Sequence, residues 1–272
     1  MAYKYILLER EGNIATLTLN RPDRLNALGH DINTEIAACL KEVDENKDIR
    51  VLIFTGAGRA FCAGGDFKNE HGAGTPASFA SNKELDTVWL AEHVYNYVMG
   101  ISGQLQKLRV PTIAMVNGVA VGAGFSIAQA CDMRVGSDRS RFMVAWTRRG
   151  VVPAFGDTWM LPRIIGIGKA AELIFTGRMV EAQEAMTMGI LNKLVPHDRL
   201  REETMELALQ IANGPPLALR WSKVSLYQGL NTDFESAVRL LATFQGPLHL
   251  TEDFRESTKA FQEKREPIFK GK

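Results

Sequence analysis

Cysteine is scarce in this 272-residue sequence: Cys39, Cys62 and Cys131 stand at wide spacing, with no CxxC and no Cys/His pair at metal-ligand distance. A disulfide scaffold and a structural zinc site are thereby excluded as readings, and a reducing, cytoplasmic compartment is expected. Charge of one sign is lacking too. Thirty-two Lys and Arg against 31 Asp and Glu leave a net +1, without the basic excess that a nucleic-acid surface shows. The N-terminal MAYKYILLEREGNIATLTLN has no apolar block and does not read as a signal peptide. The longest uncharged stretch, Val110 to Cys131, is nominally long enough to span a bilayer, yet it holds Pro111, Asn117, Gly118, Gly122, Gly124 and Gln129. It reads as a buried strand, turn and helix, so neither a membrane nor a nucleic acid is expected as a partner.

What is present is an ordinary globular composition, 46% hydrophobic and 23% charged, in a chain long enough to bury roughly 75% of its unfolded surface. Residues 3–9 and 13–19 alternate around the turn at Gly12 and predict a hairpin. Ile32, Ile36, Leu40 and Val43 recur at helical spacing, with Asp31 expected as the N-cap. RVLIFT at 50–55 and TIAMV at 112–116 are short apolar runs that end in glycine-rich turns, as buried strands do. Past residue 198 the strand signal stops. Helices are predicted at 200–212, 217–229, 234–244 and 252–264, punctuated by Pro215-Pro216 and Gly246-Pro247. The chain is thus α/β with a helical tail, and the aperiodic stretch 68–81 is expected as a surface loop.

Three glycine patterns invite other readings and fall short. Gly56 to Phe61 lacks the last glycine of a dinucleotide fingerprint, and Gly166 to Ala171 follows no predicted strand. Gly124-Phe125-Ser126-Ile127-Ala128 approaches a nucleophile elbow, but the turn is already made by Gly118 and Gly122, which puts Ser126 inside the following helix. Two other turns are more informative. FCAGGDFK at 61–68 leaves one buried strand and NGVAVGAGFSIAQACD at 117–132 leaves another, the second running into a helix N-terminus. They are either tight packing turns or a pair of N–H donors converging on a thioester oxygen, an oxyanion hole.

NRPDRLNAL at 20–28, AFCAGGDFK at 60–68, VPTIAMVNGVAVGAGFSIAQACD at 110–132, GVVPAFGDTWMLPRIIG at 150–166, TGRMVEAQEAMTMGILNKLVP at 176–196 and the terminal FQEKREPIF, taken in order, resemble the crotonase superfamily, the enoyl-CoA hydratase/isomerase family. The resemblance covers essentially the whole chain. It implies a spiral of ββα units over residues 1–197 carrying an acyl-CoA site, and a helical oligomerisation region over 198–272 that builds trimers or hexamers. It also implies that the N–H groups of Gly65 and Ala123 form the oxyanion hole. Coenzyme A contacts would fall on Arg24 and Ala27, on Ala63, Asp66, Phe67 and Lys68, and on Phe261 and Lys264 from a neighbouring subunit. Coenzyme A enters as part of the substrate, and neither another cofactor nor a metal is expected.

Departures from the family pattern bear on the reaction. The two positions where hydratases of the family carry glutamates are Ser126 and Trp146 here, and a third acid position, after Pro153, is Ala154. Water addition needs a base and an acid that Ser and Trp do not supply. Trp146 resembles the dehalogenase-type branch, whose tryptophan lines a pocket for a flat acyl group. Asp157 reads either as a helix N-cap or as an acid/base group. Glu70 and His71 sit in the loop, as solvated side chains or as groups closing over the site. His93 reads as packed or surface-facing, with contact to an acyl group as its alternative, and His30, His197 and His249 show nothing beyond helix ends and loops. The expected activity is enolate-forming acyl-CoA chemistry, isomerisation or C–C bond chemistry ahead of hydration. A hydrolase or lyase acting on a cyclic or aromatic acyl-CoA and a non-catalytic acyl-CoA binder are the alternatives.

Overall fold

The alternating pattern at the start of the chain forms the expected hairpin, β1 (Ile6–Glu11) and β2 (Ile14–Leu19), with Ile6 opposite Leu19. The computed structural model describes residues 3–67 and 86–272, so Lys68, Glu70, His71 and the rest of the loop expected at 68–81 lie outside the described residues. After the hairpin come α1 (His30–Glu45), β3 (Val51–Gly56) and β4 (Ala60–Cys62). Then α2 (Thr87–Val98) passes through a π-helical turn, Met99–Gly103, into the short α3 (Gln104–Lys107). A strand, strand, helix unit follows as β5 (Thr112–Val116), β6 (Val119–Val121) and α4 (Ala123–Ala130). The next comprises β7 (Met133–Ser137), β8 (Arg141–Met143), α5 (Asp157–Ile165) and α6 (Ile167–Thr176). The elements β9 (Met179–Glu181), α7 (Ala182–Met188) and β10 (Lys193–Val195) lead into α8 (Leu200–Ala212), α9 (Pro216–Gly229), α10 (Phe234–Leu248) and α11 (Glu252–Glu263).

After the hairpin, whose strands share one sheet, the two strands of each unit separate into different sheets. One sheet runs β1-β2-β3-β5-β7-β10 and the other β4-β6-β8-β9. Each ββα unit therefore advances both sheets by one strand, and the chain winds as the expected spiral. Pairing is parallel apart from β1 with β2 and β8 with β9.

The strands that read as continuous apolar runs are buried on both faces. Leu52, Phe54, Ala114 and Val116 point into the main core, while Val51, Ile53, Ile113 and Met115 alternate to the other side and meet Leu200, Ala208 and Ala212 of α8. Period-two alternation thus serves two cores, one between the layers and one under the first helix of the tail. Further contacts tie the tail to the spiral. Lys223 of α9 is buried, donating to the Leu105 and Val110 carbonyls and pairing with Asp132. Leu226 and Phe234, by contrast, are exposed. No described helix is long and apolar enough to cross a membrane.

Three local expectations are corrected. Asp31 is not the N-cap of α1: the helix begins at His30 after Gly29, whose extended backbone ends the loop without a side-chain cap. Gly246-Pro247 does not end its helix: α10 runs to Leu248, the proline falls in the last turn and forfeits its own N–H bond to the residue four back, and the following His249 N–H still bonds to the Gln245 carbonyl. Nor does Asp157 cap α5. Gly156, at φ +92, occupies the cap position, and Asp157 is the first helical residue.

Candidate active site

Buried asparagines fasten the turns around which the site is built. Asn26, fully buried in the left-handed region at φ +58, donates its amide to the Ala57 and Ala60 carbonyls and accepts from the Arg21 N–H. Asn117 donates to the Gly56 and Gly58 carbonyls. Both bind the segment between β3 and β4, so the loop after NRP and the turn after β5 share one anchor. Sequence reasoning placed neither asparagine in this role. Their signal is the asparagine of LNAL and of VNGV, a residue type that tolerates left-handed backbone and bridges turns.

The first glycine turn is zipped to the NRP loop. Leu28 N–H donates to Gly64 O at 2.7 Å and Leu28 O accepts from Asp66 N–H at 2.8 Å, a one-residue parallel bridge opposite Gly65. In such a bridge the flanked residue directs its own N–H away from the partner segment, so that of Gly65 faces the other side. Asp66 is buried, its carboxylate 3.0 Å from the Arg21 guanidinium, which also donates to Ala27 O.

The second turn packs against Gly64. A Cβ on Gly64, at φ +89, would stand 2.7 Å from the Val121 carbonyl oxygen and 3.7 Å from the Ala123 nitrogen. A Cβ on Gly124 would stand 2.2 Å from the Cys62 carbonyl oxygen. Only glycine permits this approach of backbone to backbone. Ala123 opens α4, where the first N–H groups have no partner within the helix. The structure thus sets the glycine turn that contains Gly65 against the N-terminus of α4 at Ala123, and these are the two residues expected as main-chain donors.

One and two turns further along α4 stand Ser126 and Gln129, both buried. Ser126 Oγ donates to Asp157 Oδ2 at 2.7 Å and Gln129 Nε2 donates to Oδ1 at 2.9 Å. Asp157, itself fully buried, is turned inward onto α4. Its carboxyl is pushed up to about 6, principally because burial disfavours the charged form. The Ser126 and Gln129 bonds pull the other way, followed by its own backbone N–H and the Trp146 indole. The indole N–H is buried and makes no hydrogen bond of ordinary geometry among the described residues.

An aromatic run extends from this point. Trp146 stacks on Phe155 at 5.7 Å between ring centres, Phe155 meets the edge of Tyr97 at 5.9 Å, and Tyr97 stacks on His93 at 5.4 Å and His93 on Trp89 at 5.0 Å. His93 is lowered from its ordinary value, by burial first and then by His30. Of the expected family acid positions, Ser126 is in the carboxylate cluster and Trp146 beside it, and Ala154 precedes Phe155.

The coenzyme candidates are more dispersed. Arg24 is exposed and closes a short turn, Pro22–Arg24, with buried Ala27 just beyond. Ala63 donates its N–H to Leu25 O. Phe67 is half exposed beneath the Arg149 guanidinium, 4.7 Å from its ring centre. Phe261 projects from α11, and Lys264 caps that helix in the left-handed region. Gln129 was missed as a site residue, although its three-residue spacing from Ser126 on an apolar helix was the available signal.

Comparison with known proteins agrees with this layout. Residues 9–272 match the family described as Enoyl-CoA hydratase/isomerase. Among similar proteins are a short-chain-enoyl-CoA hydratase of Clostridium acetobutylicum, 34% identical over 97% of each chain, and a 1,2-epoxyphenylacetyl-CoA isomerase of Escherichia coli, 34% identical over 99% of each. The crystal structure of an enoyl-CoA hydratase from Bacillus anthracis superposes with a TM-score of 0.90 at 31% identity, covering 99% of this chain and 100% of that one.

Proposed function

Since the chain belongs to the enoyl-CoA hydratase/isomerase family, and is an acyl-CoA-processing enzyme of it, we propose that it isomerises an unsaturated acyl-CoA through a thioester enolate, with Asp157 as the one acid/base group. The observation that carries this reading is the Asp157 carboxylate, held by Ser126 beside the helix that begins at Ala123. The thioester oxygen would lie between the N–H groups of Gly65 and Ala123, which polarise the carbonyl. Ionised Asp157 takes a proton from carbon, leaving an enolate whose negative charge rests on that oxygen. The protonated carboxyl then returns the proton to a different carbon of the conjugated system, so the double bond moves and the enzyme is unchanged. Hydration would require a second group to activate water. Asp66, the other buried carboxylate of these turns, is occupied by Arg21.

Arg24, Ala27, Ala63, Asp66, Phe67 and Lys68 would receive coenzyme A, with Phe261 and Lys264 supplied by a neighbouring subunit of a trimer or hexamer. We assign residues 198–272 to that assembly, supported by the exposed Leu226, Leu230 and Phe234 on and between α9 and α10. A cytoplasmic location goes with this reading.

The run from Trp89 to Trp146 favours a second reading, a hydrolase or lyase for a cyclic or aromatic acyl-CoA, because rings pack well on rings. One experiment separates these readings. Acyl-CoA esters of both kinds are incubated with the protein in D2O and followed by mass spectrometry. Conversion to an isomer, resolved from the substrate by chromatography and carrying at most one deuterium, supports the proposal, and gain of one water without isomer sinks it. Release of free coenzyme A from aromatic esters alone establishes the second reading, and binding without any conversion identifies a non-catalytic binder.

A further inference from the structure

We propose that Gln129 is a positioning residue for Asp157: its amide N–H holds one carboxylate oxygen while Ser126 holds the other, which orients the group and favours its ionised form. This rests on Asp157 being the acid/base group. Gln129 is buried, with Nε2 2.9 Å from Asp157 Oδ1, and its Oε1 finds no hydrogen-bond partner among the described residues. Burying an amide oxygen without a partner is unfavourable, and an apolar side chain in the same place would avoid it. The donated bond offsets that penalty. Ala123, Ser126 and Gln129 recur at three-residue intervals, so one rigid helix carries both a main-chain donor and the two groups that hold the acid.

Among the described residues, no charged side chain is among the groups acting on Asp157. Those facing it are Ser126 and Gln129 from α4, the Trp146 indole ahead of the short turn Thr147–Arg149, and its own backbone N–H in α5. The titratable Tyr97 and His93 of α2 lie beyond Phe155 in the ring series. A hydrogen bond to the charged form lowers an acid's proton affinity. Gln129 therefore counters the effect of burial and keeps more Asp157 ionised near neutrality.

The test uses Gln129→Met, similar in size without a donor, and Gln129→Glu, which adds a competing carboxyl. The pH profile of kcat/KM is measured on the best acyl-CoA of the full-length protein, with circular dichroism as the check on folding. In Gln129→Met the acid limb should move to higher pH by roughly one unit, with about fivefold loss at pH 6 recovered above pH 8. Gln129→Glu should move it further. Unmoved limbs in the folded variants, with rates unchanged or lowered equally at every pH, overturn the positioning role. If Gln129→Met does not fold, Gln129→Glu decides alone. Asp157→Asn separates the two levels. Full activity there overturns the acid/base reading itself, whereas an inactive Asp157→Asn with unmoved limbs in the Gln129 variants overturns only this inference.

Discussion

Ser126 Oγ and Asp157 Oδ2 are 2.7 Å apart, so the hydroxyl at one family acid position is bonded to a carboxylate contributed by another helix. A carboxylate supplied by a different element thus stands next to that turn of α4.

Asp157→Asn should lower kcat by at least about a hundredfold on the substrate that the parent isomerises, the usual scale of a lost general acid/base. Stability should respond in the opposite sense. The folded carboxyl, at about 6 against an ordinary 3.8, holds its proton more tightly than the unfolded one. The parent therefore loses stability as pH rises from about 4 through about 6, by on the order of 2–3 kcal/mol at most. The asparagine variant lacks this loss. Tm measured at pH 4.5 and pH 7.5 checks it, and equal pH dependence in parent and variant would contradict the assignment.

Catalysis should switch on with Asp157 ionisation. In the parent, kcat/KM is expected to rise from acid pH with a midpoint near 6. Ser126→Ala removes a bond to the ionised form and should shift that midpoint upward, by roughly one unit. A profile flat between pH 5 and pH 8 would rule out this carboxyl as the base.

Gly65→Pro deletes an N–H that the Leu28 bridge does not use, and should cost about 3 kcal/mol of transition-state stabilisation, a hundredfold or more in rate. Ala123→Gly keeps its N–H and should reduce stability by no more than about 1 kcal/mol, with near-parental turnover. Steady-state kinetics beside denaturant melts compare the two. Matching losses of stability and rate in both variants would point to packing alone.

Asn26→Ala should be among the more damaging substitutions outside the acid cluster. It removes donors to the Ala57 and Ala60 carbonyls and leaves a Cβ residue without a compensating side-chain bond at φ +58. A loss of roughly 2–4 kcal/mol is expected from urea unfolding. A variant within 0.5 kcal/mol of the parent, roughly the scatter among surface substitutions, would show the anchor to be dispensable.

Much of this was legible in the residues because it is local. RVLIFT, charged only at its first residue, and TIAMV are rich in β-branched and apolar residues and closed by glycine turns, and both became buried strands. The helices past 198 showed their apolar spacing, and the crowding of small residues at 61–65 and 117–124 disclosed two turns. The partnership of Gln129 with Asp157 was not legible, because it joins residues 28 apart on different helices and leaves no periodic trace. An acid at a helix start most often serves its own backbone. Here Gly156 takes the cap position, and Asp157 turns into the interior. Asp31 misled for the same reason: a capping residue type also occurs inside the first turn, where acids suit the dipole.

Gly65 and Ala123 offer their main chain, so no exchange of side chain at either position, short of proline, deletes a donor. The proton carrier proposed here, Asp157, hangs by contrast on a single side chain that one codon change removes or replaces. On the proposed reading, the scaffold separates an electrophilic centre that drifts little under mutation from an interchangeable acid. A lineage built on it can sample new reactions by shifting one carboxylate among neighbouring helices, without passing through a form that has lost its grip on the thioester.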